Sequence, residues 1–148
     1  MTNLFEPAVV HEIISRLEKL QPSAKANWGK MNVAQMLAHC QAPFEVYFGD
    51  RKSQRELMGI LFGRIARRKL FTDKPWPRSL PTAKDFVIVE QRNFDKEKDQ
   101  LVNLINRFAT KGDTGTITIH PFFGKMTSQD WARLFYKHLD HHLQQFGV

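Results

Sequence analysis

Residues 127–145 read TSQDWARLFYKHLDHHLQQ and form the most strongly patterned segment of the chain. Thr127 is a good helix cap, and Asp130 three residues later completes a capping box, so a helix is predicted to begin here. At about 100° per residue, one arc of this helix is apolar and faces the core. Its members are Trp131, Phe135, Leu139, Leu143 and Phe146. The opposite arc is predicted to face solvent, with Arg133, Lys137, Asp140 and Gln144.

Two histidines of this last helix point toward the interior. His142 falls inside the apolar arc and His138 at its edge, four residues earlier. Side chains at that spacing lie about 5–6 Å apart at Cβ, so both imidazoles can bind one metal ion. The alternative is that each is a core histidine with its own hydrogen-bond partner.

Three further long helices are predicted from apolar spacing and caps. The first runs from Pro7 to Lys19, the second begins at Asn32 with a capping box to Gln35 and ends near Gly49, and the third runs from Asp95 to Thr110. A long crossover joins the second to the third, which predicts that these two helices run parallel. The sequence therefore predicts one all-α domain over residues 1–148, a four-helix bundle with a long crossover.

The crossover is expected to contribute no sheet. Residues 51–70 look helical, with one apolar side, and residues 72–81 hold three prolines and read as extended. Residues 86–89 have strand character without an obvious partner, and residues 115–123 are expected to form an apolar loop or a short extended piece. The apolar side predicted for residues 51–70 comprises Leu57, Ile60, Leu61, Ile65 and Leu70.

Composition restricts the classes of function. The net charge is +7, and residues 51–70 hold seven basic residues against one acid, so the charge lies in one segment and no nucleic-acid partner is expected. The chain has no run of eighteen apolar residues, so no membrane span is predicted. The N-terminus does not resemble a signal peptide. Cys40 is the only cysteine, which fits a reducing, cytoplasmic setting.

A third candidate ligand lies on the second helix. His39 flanks the apolar stripe there and can reach inward. Three imidazoles with one open coordination position are typical of a catalytic metal site. The ligands do not identify the metal, because zinc, nickel, copper and iron all suit imidazole. Gln145 and Gln35 share faces with the candidate ligands. They could orient a ring or a water, or they are ordinary polar positions of their helices. Cys40 is expected in the core.

Two other histidines are weak catalytic candidates. His120 lies in the loop before the last helix. It could support a metal ligand from outside, contact a substrate or be a plain loop residue. His141 lies between the two inward histidines in sequence but further round toward solvent. Neither has a spacing that identifies it as a general base.

Two motifs resemble those of the DinB/YfiT-like superfamily. Residues 28–39, WGKMNVAQMLAH, resemble its second-helix signature, and residues 120–127, HPFFGKMT, followed by Trp131 and residues 138–145, resemble its last helix. The resemblance covers essentially the whole chain, and it is strongest to a branch of unknown function. It implies a four-helix bundle with a long crossover.

The resemblance also implies a cofactor and a chemistry. Members often bind zinc or nickel through one histidine of the second helix and two of the last, which correspond to His39, His138 and His142 here. Characterised members include transferases and isomerases that activate a low-molecular-weight thiol as a thiolate. The basic insert at residues 51–69 and the proline-rich stretch after it depart from that pattern.

Three functions therefore compete. The first is a metal-dependent enzyme of the thiol-transferase or hydrolase type acting on a small molecule. The second is a non-catalytic binding module that uses the basic 51–70 segment for an anionic partner. The third is a stable bundle whose histidines are structural. A homodimer through exposed apolar helix faces stays open.

Overall fold

Helix boundaries follow the caps that the sequence supplies. A computed structural model describes residues 2–78 and 80–148. The side chain of Asn32 accepts a hydrogen bond from the Gln35 amide at 2.8 Å, and that of Thr127 accepts one from the Asp130 amide at 3.2 Å. Both predicted capping boxes are present. The helices are α1 Pro7–Lys19, α2 Val33–Phe48, α3 Leu57–Leu70, α4 Phe94–Lys111 and α5 Ser128–Gln145.

Four of these helices enclose the core. α1 and α2 each pack against α4 and α5. Gln41 donates to the Glu97 carboxylate at 2.7 Å near the start of α4, and Tyr47 packs edge-on against Phe108 near its end. The first contact lies early in both helices and the second lies late in both, so α2 and α4 run parallel, as the long crossover predicts. The core between them is aromatic and aliphatic, and the apolar arc predicted for α5 is buried throughout.

A two-stranded sheet corrects the all-α prediction. β1 Ile117–His120 pairs antiparallel with β2 Gly124–Thr127, in a register that sets His120 opposite Gly124. The fold is mostly helical with this hairpin, and it is not a pure four-helix bundle. The sequence concealed the hairpin because β2 reads GKMT, without the alternation that marks a half-buried strand.

The crossover differs from prediction in one important respect. α3 begins at Leu57, six residues later than predicted from Arg51, and only Gly59 and Gly63 of its residues are buried. Its large apolar side chains face outward, and the two glycines form the side that packs against the hairpin. The physical reason is that two small residues allow a closer approach to the hairpin than leucine would.

The remainder of the crossover is irregular. Residues 84–86 form a short 3-10 helix that buries Phe86, and residues 86–89 pair with no strand in the described ranges. Within the predicted extended segment 72–81, Ser79 lies outside the described residues, and neither helix nor strand covers the others. None of the described helices combines the length and apolarity required to cross a bilayer.

Candidate metal centre

Three histidine side chains meet between α2 and α5. His39 comes from the middle of α2, and His138 and His142 come from consecutive turns of α5. Their ring centroids lie 4.7–4.8 Å apart, and one nitrogen from each ring falls within 4.8 Å of the others. The Nε2 atoms of His39 and His138 are 2.8 Å apart. The structure thus brings together the three predicted ligands, and we call them the histidine cluster.

Burial keeps the histidine cluster uncharged at neutral pH. His39 is 4% exposed and His142 is 8% exposed. Desolvation lowers the pKa of His142 to about 3, and it lowers the pKa of His39, which the Phe86 carbonyl partly opposes. His138 is partly exposed as a whole residue, yet desolvation of its ring and the nearby His142 hold its pKa well below 6.5. The neutral imidazole is the form that binds a metal ion.

The backbone of the crossover fixes the His39 ring. Nδ1 of His39 lies 2.9 Å from the carbonyl oxygen of Phe86, which can only accept a hydrogen bond. Nδ1 therefore carries the proton, and the lone pair of the neutral ring is on Nε2. That nitrogen faces the other two rings.

A glutamine fixes the His142 ring in the same way. Gln145 donates its amide N–H to the Trp28 carbonyl at 2.6 Å, which turns its Oε1 toward Nδ1 of His142 at 2.7 Å. His142 therefore also presents the lone pair of Nε2. Gln145 thus orients a ring, one of the roles open to it from the sequence, whereas Gln35 bonds to the carbonyls of Val89 and Glu90 instead.

The donor set fits a divalent transition metal. Tetrahedral nitrogens bound at about 2.0–2.1 Å lie about 3.3 Å apart, so His39 and His138 need to separate by only a few tenths of an ångström. His138 has no second hydrogen bond that fixes its tautomer among the described contacts. Cys40 is no ligand: its thiol is buried, and burial raises its pKa. Three candidate ligands remain, all of them histidines.

Residues 7–147 match the model of a family described as a protein of unknown function, DUF1569. The chain belongs to the DUF1569 family. The match spans all five helices and the hairpin, so it includes the whole histidine cluster. Comparisons with curated proteins and with solved structures found no match.

His120 organises the hairpin of the DUF1569 chain. Its Nδ1 accepts hydrogen bonds from the amides of Phe122 and Phe123 at 3.0 and 3.1 Å, and its ring packs on Trp131. Desolvation, with a smaller effect of Arg55, lowers its pKa to about 3. These contacts hold His120 at the end of β1, beside the hairpin turn, and it is not a member of the histidine cluster.

His141 lies beside the histidine cluster and lines a cavity of about 500 Å³. Its ring packs against His142 at 5.1 Å and between the indoles of Trp28 and Trp76 at 5.5 and 6.0 Å. Trp76 also packs on His138 at 6.1 Å, so two walls of the cavity touch the histidine cluster. Sequence reasoning missed Trp76, although a tryptophan between Pro75 and Pro77 was a signal of a fixed aromatic wall.

Lys137 corrects the predicted solvent face of α5. The residue is only 9% exposed, and its ammonium donates to the carbonyls of Thr72 and Lys74 at 2.5 and 2.6 Å. Burial lowers its pKa. Lys137 thereby ties the start of the proline-rich stretch to α5 and closes one side of the cavity.

Proposed function

We propose that the protein binds one divalent transition-metal ion, zinc or nickel, through Nε2 of His39, His138 and His142. We further propose that it is a metal-dependent enzyme of the thiol-transferase or hydrolase type acting on a small molecule. The observation that carries the proposal is the convergence of three desolvated imidazoles, two of which are held in the tautomer that a metal requires.

The hydrogen bonds around the rings favour a metal site over structural histidines. A structural histidine needs partners for its polar atoms, and one partner each would satisfy that need. Here the outer nitrogens of His39 and His142 are already bonded, and the inner nitrogens point at each other and at His138. The Nε2–H of a neutral His138 ring can donate to Nε2 of His39 at 2.8 Å, which leaves Nε2 of His142 without a donor among the described contacts. One bound cation satisfies all three inner nitrogens.

The chain supplies positioning and a dry environment. Hydrogen bonds to the Phe86 carbonyl and to Gln145 hold two ligand rings, which is the role of outer groups in metal sites. A divalent ion bound there supplies Lewis acidity that lowers the pKa of a bound water or thiol toward neutrality. His141, on the cavity side of His142, is better placed than His120 to exchange a proton with a molecule in the cavity.

The resemblance to DinB/YfiT-like proteins supports the same proposal. The parallel α2 and α4, the long crossover and the origin of the ligands from α2 and α5 agree with that pattern. Under this interpretation the four packed helices are a bundle of that type, and the hairpin and α3 are elaborations of it. A low-molecular-weight thiol is then the proposed co-substrate.

The cavity supports a small, polar substrate. Its lining mixes the Trp28 and Trp76 indoles with charged groups, including Asp73, Arg78 and Lys137. The Arg78 guanidinium stacks over Trp28 at 4.6 Å. Flat aromatic walls with a few charged groups are typical of sites that orient a small ligand.

Elemental analysis of tag-free protein tests the proposal. Wild type, His39→Ala and His138→Ala are purified after growth with added zinc and nickel, beside His11→Ala as the control. His11 is exposed on α1, far along the chain from the ligands. We expect about one metal ion per chain in wild type and in the control, and loss of the ion in both ligand variants, with unchanged helical circular dichroism.

Two outcomes overturn the proposal. Wild type that holds no metal after supplementation contradicts the site and leaves three structural histidines. Metal that persists in His39→Ala and His138→Ala contradicts the ligand assignment. If the site is established, thiol transfer and hydrolysis are then assayed with the loaded protein.

A further inference from the structure

α3 is attached to the molecule along one narrow side. Gly59 and Gly63, one turn apart, lie against the backbone of the hairpin turn, and a Cβ on Gly59 would lie 2.5 Å from the Phe122 carbonyl oxygen. Arg67, on the same side of α3, forms a salt bridge with Asp130 of α5 at 2.6 Å. Because the contact is made by backbone, the side chains of α3 are free to face outward.

The outer face of α3 is apolar to an unusual degree. Six large side chains are between 49% and 70% exposed: Leu57, Met58, Ile60, Leu61, Phe62 and Ile65. At about 100° per residue, five of them, all except Ile60, share an arc of about 140°. Single exposed apolar residues are ordinary, but a contiguous set on one helix marks an interaction surface.

Basic groups lie within and beside that arc. Arg64, Arg68 and Lys69 are exposed, and no salt bridge found among residues 2–78 and 80–148 includes any of them. Residues 51–70 hold seven basic residues and one acid, whereas the whole chain carries +7. The outer face of α3 therefore combines exposed apolar area with three exposed basic side chains, a charge of +3.

We infer that the outer face of α3 docks on an anionic lipid surface, with the helix lying in the plane of the interface. Apolar side chains enter the boundary between headgroups and acyl chains, and arginine and lysine contact lipid phosphates. The long basic side chains can extend to the headgroup level from positions inside the apolar arc. α3, with 14 residues, lies on the surface and does not cross it.

Charge and shape argue against other occupants. Two copies of this face would bring two strongly basic segments together, which like-charge repulsion opposes. Nucleic acid would satisfy the arginines but would leave six apolar side chains without partners, and such interfaces are polar. An acidic protein would need a groove shaped to this convex face, whereas a bilayer adapts to it.

Co-sedimentation with vesicles tests the inference. The full chain is mixed with vesicles of phosphatidylcholine containing about 30% phosphatidylglycerol, or of phosphatidylcholine alone, at low and at physiological salt. The variants are Leu57→Ser with Leu61→Ser, and Arg64→Gln with Arg68→Gln. Matched controls are Val89→Ser with Ile117→Ser, which are equally exposed elsewhere, and Lys19→Gln with Lys25→Gln.

We expect wild type to bind the anionic vesicles and not the neutral ones, more weakly as salt rises. Each α3 double variant should bind at least tenfold more weakly, since each basic residue and each buried apolar chain contributes substantially. Both control variants should bind like wild type. His138→Ala should also bind like wild type, which separates this inference from the proposed metal site.

Several results would overturn it. Failure of the wild-type protein to bind anionic vesicles at low salt contradicts the inference directly. If Leu57→Ser with Leu61→Ser still binds like wild type, the protein adsorbs by charge alone and α3 does not insert. A dimer in sedimentation velocity that Leu57→Ser with Leu61→Ser abolishes, without vesicle binding, assigns the face to a second copy. Tighter binding to double-stranded DNA than to anionic vesicles assigns it to nucleic acid.

Discussion

The histidine cluster and the outer face of α3 depart in opposite ways from the usual distribution of residues. In the histidine cluster polar rings are buried, and two of the three are held by hydrogen bonds from outside. On α3 large apolar side chains are exposed, and the buried side is made of glycine. Buried polar groups and exposed apolar sets both cost free energy that a purely structural role does not require. The contrast therefore points to two independent interactions, one with an ion and one with a surface.

The largest effect is expected in the core that supports the histidine cluster. Leu101 on α4 is fully buried, so Leu101→Ala should lower the free energy of unfolding by about 2–5 kcal/mol. Urea denaturation followed by circular dichroism measures this change. A loss below about 1 kcal/mol would mean that α4 is not packed as the structure describes.

His120 should make the fold sensitive to acid. Its pKa is about 3 in the folded chain and about 6.5 when unfolded, so the unfolded state binds more protons between these values. The stability that this group contributes is complete above about pH 6.5 and is lost as the pH falls toward 3. We expect a loss of about 3 kcal/mol between about pH 7.5 and pH 4 from this residue.

A non-titrating variant isolates that contribution. His120→Asn keeps an acceptor for the Phe122 and Phe123 amides but has no proton to gain. Its urea midpoint should fall less steeply with acid than that of wild type. If the urea midpoints of the two proteins fall equally as the pH is lowered, His120 is not desolvated in the folded state.

Gln145 tests whether the outer hydrogen bonds serve the metal. Gln145→Leu removes the acceptor for His142 Nδ1 and leaves the Trp28 carbonyl without its donor, so metal affinity should fall by about 10–100-fold. The control is Gln144→Leu, a neighbouring exposed glutamine. Competition with a coloured chelator measures the affinity. Equal affinities in the two variants would remove the orienting role of Gln145.

The smallest effect on stability is expected on α3. Leu61 is 61% exposed, so Leu61→Ala should change the free energy of unfolding by no more than about 0.5 kcal/mol. Urea denaturation beside Leu101→Ala gives the comparison. A loss as large as that in Leu101→Ala would mean that the outer face of α3 is covered within the molecule, which would also remove the docking surface.

Local signals explain which parts of the fold were predictable. Caps at Asn32 and Thr127 and 3–4 apolar spacing fixed the helix ends to within a few residues, because these features act through neighbouring backbone. The pairing of β1 with β2 depends on a weak second strand, and the docking of α3 depends on two glycines meeting a distant turn. Such long-range contacts leave little trace in a local pattern.

The same distinction applies to the site. His138 and His142 share a helix, so their spacing predicted their proximity, and His39 was predicted from its inward flank. The Phe86 and Trp28 carbonyls could not be predicted, because backbone oxygens carry no residue-type signal. The burial of Lys137 was missed since it depends on two carbonyls of an irregular segment.

X-ray absorption at the zinc edge tests the central claim most directly. Protein loaded with one equivalent of zinc should show three imidazole nitrogens and one further light ligand at about 2.0–2.1 Å, with one imidazole fewer in His138→Ala. A sulfur neighbour at about 2.3 Å, which would identify Cys40, contradicts the account. Zinc that is lost on desalting contradicts it equally.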